Sequence, residues 1–388
     1  MKNLEETWRW YGPYDPIALS EIIQAGATGI VTALHDIPVG DVWSIQDIMN
    51  RKKEIEAHGL RWSVVESVNV HDDIKAGSGQ KDMYLEKYIE TIQNLAACGI
   101  DTVCYNFMPA LDWTRTNLER KLKTGAIALE FDFIDAITFD LFILKRDGAE
   151  ADYTDEEFAL ADSRNHDLSE PEKTQLANTI LQGLPGGARG FTLHEFRQSL
   201  DLFHEVDVKQ MRNNLTSFLL AIVPAAEAAG IRLAIHPDDP PFSLFGLPRV
   251  VSTSQDVQHI LKTVNSPANG LCFCTGSYGA SAENDVPAMA EKFADSIHFL
   301  HLRNVQRESN RSFHESNHLV GSVDMYSVMK SAVLEQQNRE YAIPYRPDHG
   351  HKILDDMQRK TNAGYPAIGR LKGLSELRGL QLGIQHSI

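Results

Sequence analysis

Four residues of types that bind metals close four successive apolar runs in the C-terminal half of the chain. The runs are IRLAIHP, which delivers His236, GLCFC, which ends at Cys274, IHFLHLRN, which carries His301, and YAIPYRPD, which ends at Asp348. Two imidazoles, a sulfur and a carboxylate suit a divalent transition metal. Side chains alternate along a strand, so His301 and Arg303 share one side while His298 points to the other and packs between strand and helix. Cys272 and Cys274 share a face, with Cys274 nearer the strand's end and Cys272 a layer deeper. Arg346 and Asp348 also share a face. Arg346 either binds a carboxylate with both arms of its fork or ties down Asp348.

These side chains meet only if the four runs are neighbouring parallel strands. Strand-like runs and helix-like segments alternate along the chain, with strands expected at 7–12, 28–34, 60–67 and 100–108 and then at the four runs above. Amphipathic segments separate them, such as KDMYLEKYIETIQNLAACG, stopped by Gly99, and VKQMRNNLTSFLLAIVPAAEAAG before IRLAIHP. Eight repeats predict a (β/α)₈ TIM barrel as one catalytic domain, 1–388, rather than an open doubly wound sheet. In such a barrel the four candidate ligands face one mouth.

Residues from about 115 to 210 break the repeat. The acidic DGAEADYTDEEF, the run LSEPEKTQ and the turn-rich LPGGARGF read as a mostly helical insertion after strand four, a lid or a subunit contact. GGARG lacks the Gly-Lys-Ser/Thr ending of a phosphate loop. From His314 to His318 the sequence HESNH matches the HExxH pattern of zinc proteases, but its flanks have no apolar helical period. It is expected as a polar loop at the mouth, with Glu315 or His318 in reach of substrate hydroxyls. His35, Glu66 and His71 fall near the ends of strands two and three, as pocket-lining or as ordinary loop residues.

Composition excludes some partners. A formal net charge of −16 argues against nucleic acid and anionic membrane, which require basic surface. No uncharged apolar run reaches the ~18 residues of a bilayer span. MKNLEETWRW has no basic-then-apolar leader, and the cysteines Cys98, Cys104, Cys272 and Cys274 suggest no disulfide framework, so a reducing cytoplasm is expected. A homodimer or higher homo-oligomer is expected.

Taken together, TWRWYGPYDPIAL, QAGATGIVTALH, VCYNFMPALDWTRT, CFCTGSYGA, FLHLRNV and RPDHGHK resemble mannonate dehydratase of the uronate-degradation type. The resemblance runs from Trp8 to the Gly-Tyr-Pro near 365, and six motifs in order are specific where each alone is weak. It implies a TIM barrel that binds Mn²⁺ or Fe²⁺ and removes water from D-mannonate to give 2-keto-3-deoxy-D-gluconate in glucuronate catabolism. It assigns the metal to His236, Cys274, His301 and Asp348, and acid–base work to His349 and Tyr365.

That chemistry accounts for the residue types. Taking a proton from the carbon beside a carboxylate piles negative charge on its oxygens, which a divalent cation offsets as a Lewis acid. A positioned base and acid then move the C2 proton and release the 3-hydroxyl. Arg303 and Arg346 are the candidates to hold the substrate carboxylate, and Asn304 a hydroxyl. Trp10, Trp113 and Arg115 are candidates to close the pocket. The rival readings are a metal-dependent sugar isomerase or epimerase, whose sites favour carboxylate ligands, a zinc phosphoesterase, and a non-catalytic sugar-acid-binding barrel.

Overall fold

A computed structural model describes residues 1–184 and 190–388. The expectation that GGARG forms no phosphate loop falls almost wholly on residues outside that description. Twelve strands occur among the described residues: β1 Glu5–Arg9, β2 Gly29–Thr32, β3 Arg61–Glu66, β4 Thr102–Tyr105, β5 Asn117–Lys121, β6 Ile127–Phe131, β7 Arg232–Ile235, β8 Asn269–Cys274, β9 Ile297–His301, β10 Val305–Arg307, β11 Phe313–Glu315 and β12 Pro344–Arg346. Eight close a barrel in the order β1-β12-β9-β8-β7-β4-β3-β2, every neighbouring pair parallel. This is the TIM barrel expected from the alternation.

The barrel interior follows from the two-residue period of a strand. Val31, Val64, Cys104, Ala234, Cys272 and Phe299 form one apolar layer inside it. Two positions further along five of those strands stand Glu66, Asn106, His236, Cys274 and His301. The same alternation that buries the layer therefore lifts a polar tier above it, at the C-terminal ends where barrel sites lie. Register levels the tier: Cys274 pairs with His301, and His301 with Arg346.

Helices cover the outside. The helix Val208–Ala229 buries Met211, Leu215, Phe218, Leu219, Ile222, Val223 and Ala226, an apolar stripe of helical period, and ends at Gly230 with φ +73°. It packs on the helix Lys81–Ala97, which buries Tyr88, Ile92 and Leu95. No helix among the described residues is long and apolar enough to cross a membrane.

One boundary needs correction. The first strand is Glu5–Arg9, not 7–12, and the first helix begins at Leu19. The Asp15 carboxylate accepts the Tyr11 and Ile17 N–H groups and Gly12 takes φ +89°, so the chain turns before either element can extend.

The stretch after β4 carries helices Phe133–Thr138, Asp155–Asp167, Glu170–Leu181 and Leu193–Leu202, but it also contributes β5 and β6 to a second sheet. That sheet runs β10-β11-β6-β5, joining the insertion to the loop after β9. It rests on its own apolar cluster of Phe131, Phe133, Phe139, Phe196, Phe245 and Phe313. The HESNH segment accordingly is not a loop at its start: His314 and Glu315 lie on β11.

Candidate metal centre and active site

His236, Cys274 and His301 bring one ligand atom each within 4.8 Å of one another. His236 donates Nδ1–H to the Pro237 carbonyl at 2.7 Å, which leaves the Nε2 lone pair aimed at His301 Nδ1, 3.2 Å away. His301 Nε2 lies 3.1 Å from Arg346 Nε, which donates to it, with Glu66 Oε2 3.4 Å away. Ser277 turns its backbone N–H and its hydroxyl to Cys274 Sγ, at 3.4 and 3.1 Å. Asp348 Oδ2 lies 3.8 Å from Cys274 Sγ and 3.9 Å from His301 Nδ1. The nitrogen and sulfur donors of His236, Cys274 and His301 fit a divalent transition metal, and Asp348 stands next to them outside the group whose ligand atoms all lie within 4.8 Å of one another.

Asp348 lies beyond its strand at φ +56°, a left-handed conformation that aspartate tolerates better than most residues. Two guanidiniums fix it: Arg346 Nη1 bonds Oδ1 at 2.5 Å and Arg303 Nε bonds Oδ2 at 2.7 Å. These belong to a buried network of four guanidiniums (Arg9, Arg115, Arg303, Arg346) and four carboxylates (Glu66, Asp239, Glu315, Asp348). Burial alone would raise each carboxyl. The guanidiniums outweigh it and hold all four below the usual range, Arg346 dominating at Glu66 and Asp348, Arg115 at Asp239 and Arg303 at Glu315. Burial pushes His236 below the usual imidazole range, which keeps it neutral.

His349 and Tyr365 are adjacent and buried. His349 Nε2 is 3.2 Å from the Tyr365 hydroxyl, and its Nδ1 is 2.9 Å from Glu315 Oε1. Since a carboxylate only accepts, Nδ1 carries a proton and Nε2 faces the phenol. Burial pushes the Tyr365 phenol up, and Tyr11 packs edge-on against it at 5.1 Å. Trp113 stands edge-on to His349 with Arg115 over its face at 4.7 Å.

Several expected substrate contacts are committed elsewhere. Arg303 donates to Asp348, Glu315, Asp239 and Ser277, and Arg346 to Asp348 and Glu66, so both hold the site's own carboxylates. Arg115 is fully buried between Asp239 and Glu315. Asn304 gives its amide to the His318 and Val323 carbonyls and takes the Val305 and Val323 N–H groups. Glu315 anchors His349 and the arginines, while His318 bonds the Pro347 carbonyl and lies under Gly373 of the last helix, Ala367–Gln385. Trp10 is packed in the barrel's apolar core beneath Arg51. His71 caps the helix Asp72–Ala76 and stacks on Tyr84. Glu66 belongs to the network, and His35 lies 3.4 Å from Arg9.

Sequence reasoning missed Arg9, Tyr11, Asp239 and Ser277. Asp239 follows His236 by three residues in a polar PDDP turn. That closeness was the available signal.

The D-mannonate dehydratase (UxuA) family model matches residues 4–388. The chain is 56 % identical over 388 residues to a mannonate dehydratase of Chromohalobacter salexigens, covering 99 % of each, and 50 % identical over 391 residues to one of a Marinomonas species, covering 99 % of this chain and 100 % of that one. The crystal structure of mannonate dehydratase from Streptococcus suis serotype2 superposes with a TM-score of 0.79 at 34 % identity, covering 100 % of this chain and 95 % of the other.

Proposed function

The chain belongs to the D-mannonate dehydratase family, and from that premise we infer how its barrel mouth removes water from D-mannonate to give 2-keto-3-deoxy-D-gluconate. The observation that carries the reading is the meeting of His236, Cys274 and His301 beside the His349–Tyr365 pair.

We assign the metal to His236, Cys274, His301 and Asp348, and read it as Mn²⁺ or Fe²⁺. When bound, it supplies Lewis-acid stabilisation of the charge that builds on the substrate's acid end as C2 loses its proton. Charge supports the assignment. The four guanidiniums and four carboxylates of the network cancel, so a cation's two positive charges match one thiolate and one substrate carboxylate.

His349 and Tyr365 carry the protons. One accepts the C2 proton, the other delivers a proton to the departing 3-hydroxyl, and their 3.2 Å contact returns the pair to its starting state. The enol so formed ketonises to the 2-keto acid. Glu315 fixes which imidazole nitrogen faces Tyr365 and stabilises the ring when it is charged. Arg303 and Arg346 act on Asp348 rather than on substrate.

The test is direct. Protein incubated with D-mannonate and Mn²⁺ should accumulate a 2-keto-3-deoxy acid, chelation should stop it, and added Mn²⁺ or Fe²⁺ should restore it. Full activity in protein shown to be metal-free would refute the assignment.

A further inference from the structure

Over the ends of β1, β2 and β3 lies a cavity of about 230 Å³ lined in part by Arg9, His35, Asp36, Ser67, Asn69 and Asp112. Two contacts in series join it to the centre: Glu66 Oε2 is 3.4 Å from the His301 ring and 3.2 Å from Arg9 Nη1. Arg9 is 4 % exposed, yet its Nε and Nη1 lack a hydrogen-bond partner, the pairing with Glu66 being close but badly angled. His35 Nδ1 is likewise buried and unpartnered. Buried donors are seldom left so, and two neighbouring residues with spare polar atoms on one cavity wall point to a polar ligand.

The lining tells which end of the ligand. Glu66 already offsets the charge of Arg9, so no anion is called for. Asp36 and Asp112 would repel a carboxylate, which only accepts hydrogen bonds. Hydroxyls both donate and accept, matching guanidinium, neutral imidazole, amide, serine hydroxyl and carboxylate groups in one wall. Burial, with Arg9 and Arg51 adding to it, holds the His35 pKa down at about 3; the neutral ring's Nε2 accepts from Arg9 Nη2 at 3.4 Å, which leaves Nδ1–H as the donor open to a ligand.

We propose that Arg9 and His35 bind the hydroxylated tail of the sugar acid, carbons 4 to 6, while its acid end lies at the metal donors, and so set the enzyme's preference for a six-carbon substrate. The proposal rests on the dehydratase reading above. It gives β1–β3 a recognition role and leaves the chemistry to β7–β9 and β12.

Two measurements test it on His35→Ala and on Arg9→Lys, which keeps a positive charge beside Glu66 but loses the fork. The first is KM and kcat for D-mannonate. The second is the inhibition constant of a four-carbon 2,3-dihydroxy acid with the same C2 and C3 configuration, which has no tail. Both variants should raise KM about ten- to a hundredfold, the usual effect of losing hydrogen bonds to a charged or buried partner, with kcat within about threefold and metal content unchanged. The inhibition constant of the short acid should match the parent's. An unchanged KM for D-mannonate, or an equal loss for both ligands, overturns the subsite alone. A parent enzyme inert toward D-mannonate overturns the functional reading and the subsite together.

Discussion

His349 Nε2 and the Tyr365 hydroxyl meet at 3.2 Å, with the ring planes nearly perpendicular at 84°. The contact depends on Gly364, whose φ of +79° and missing side chain let the Tyr365 turn pass close to the His349 ring: a Cβ there would stand 2.6 Å from Leu129 and 3.4 Å from His349. Tyr365→Phe removes the hydroxyl and leaves the ring packing. It should lower kcat about 10²–10⁴-fold with KM little changed, read by steady-state kinetics with D-mannonate. Near-normal turnover would take Tyr365 out of the proton path.

Cys274 and Cys272 differ by one layer. Cys274→Ala should lose bound metal, and Cys272→Ala should keep it, because Cys272 belongs to the apolar layer below. The Cys272 variant should lose only about 1 kcal/mol of stability, the scale of a small buried truncation. Elemental analysis of both purified proteins decides, and equal metal contents would contradict the layer assignment.

Glu315→Gln keeps an acceptor for His349 Nδ1–H but removes the negative charge beside it and beside Arg115 and Arg303. Turnover should fall about 10–100-fold with metal retained. A variant that turned over like the parent would show that Glu315 merely packs.

His298 gives a pH prediction. Its ring is buried, bonded through Nδ1 to the Leu233 carbonyl at 2.7 Å, and fills the space left by Gly270. Burial lowers its pKa from 6.5 to about 4. The folded state thus holds it neutral while the unfolded chain protonates it, so stability is lost as pH falls from about 6.5 to about 4, by up to about 3 kcal/mol. Urea midpoints between pH 7 and pH 4.5 should fall more steeply for the parent than for His298→Gln. Parallel slopes would dismiss the effect.

The barrel and the meeting of His236, Cys274 and His301 were legible because two simple periods determine them. Strand alternation puts His236, Cys274 and His301 on the inward face, and the repeat makes their strands neighbours. Asp348 was singled out as the end of the run YAIPYRPD, yet it lies past β12 at positive φ, where alternation no longer dictates direction. The role of Asp239 was not legible beyond its closeness to His236, because its partners, Arg303 and Arg115, are 64 and 124 residues away. Arg303 and Asn304 were expected as substrate contacts for a related reason: a polar residue at a barrel mouth reads as one until the protein groups that occupy it are known. The second sheet escaped detection because its strands have three to five residues and find partners only across the chain.

That sheet has a consequence for how such proteins diverge. Since β6 pairs with β11, the segment that carries Glu315 is stitched to a segment nearly two hundred positions earlier. Grafting either stretch alone from one barrel to another would strand an edge and unseat the carboxylate behind His349. Exchange of the carboxylate behind His349 between relatives therefore has to move both pieces as one cassette, whereas Arg9 and His35, on the β1 and β2 side, lie outside it.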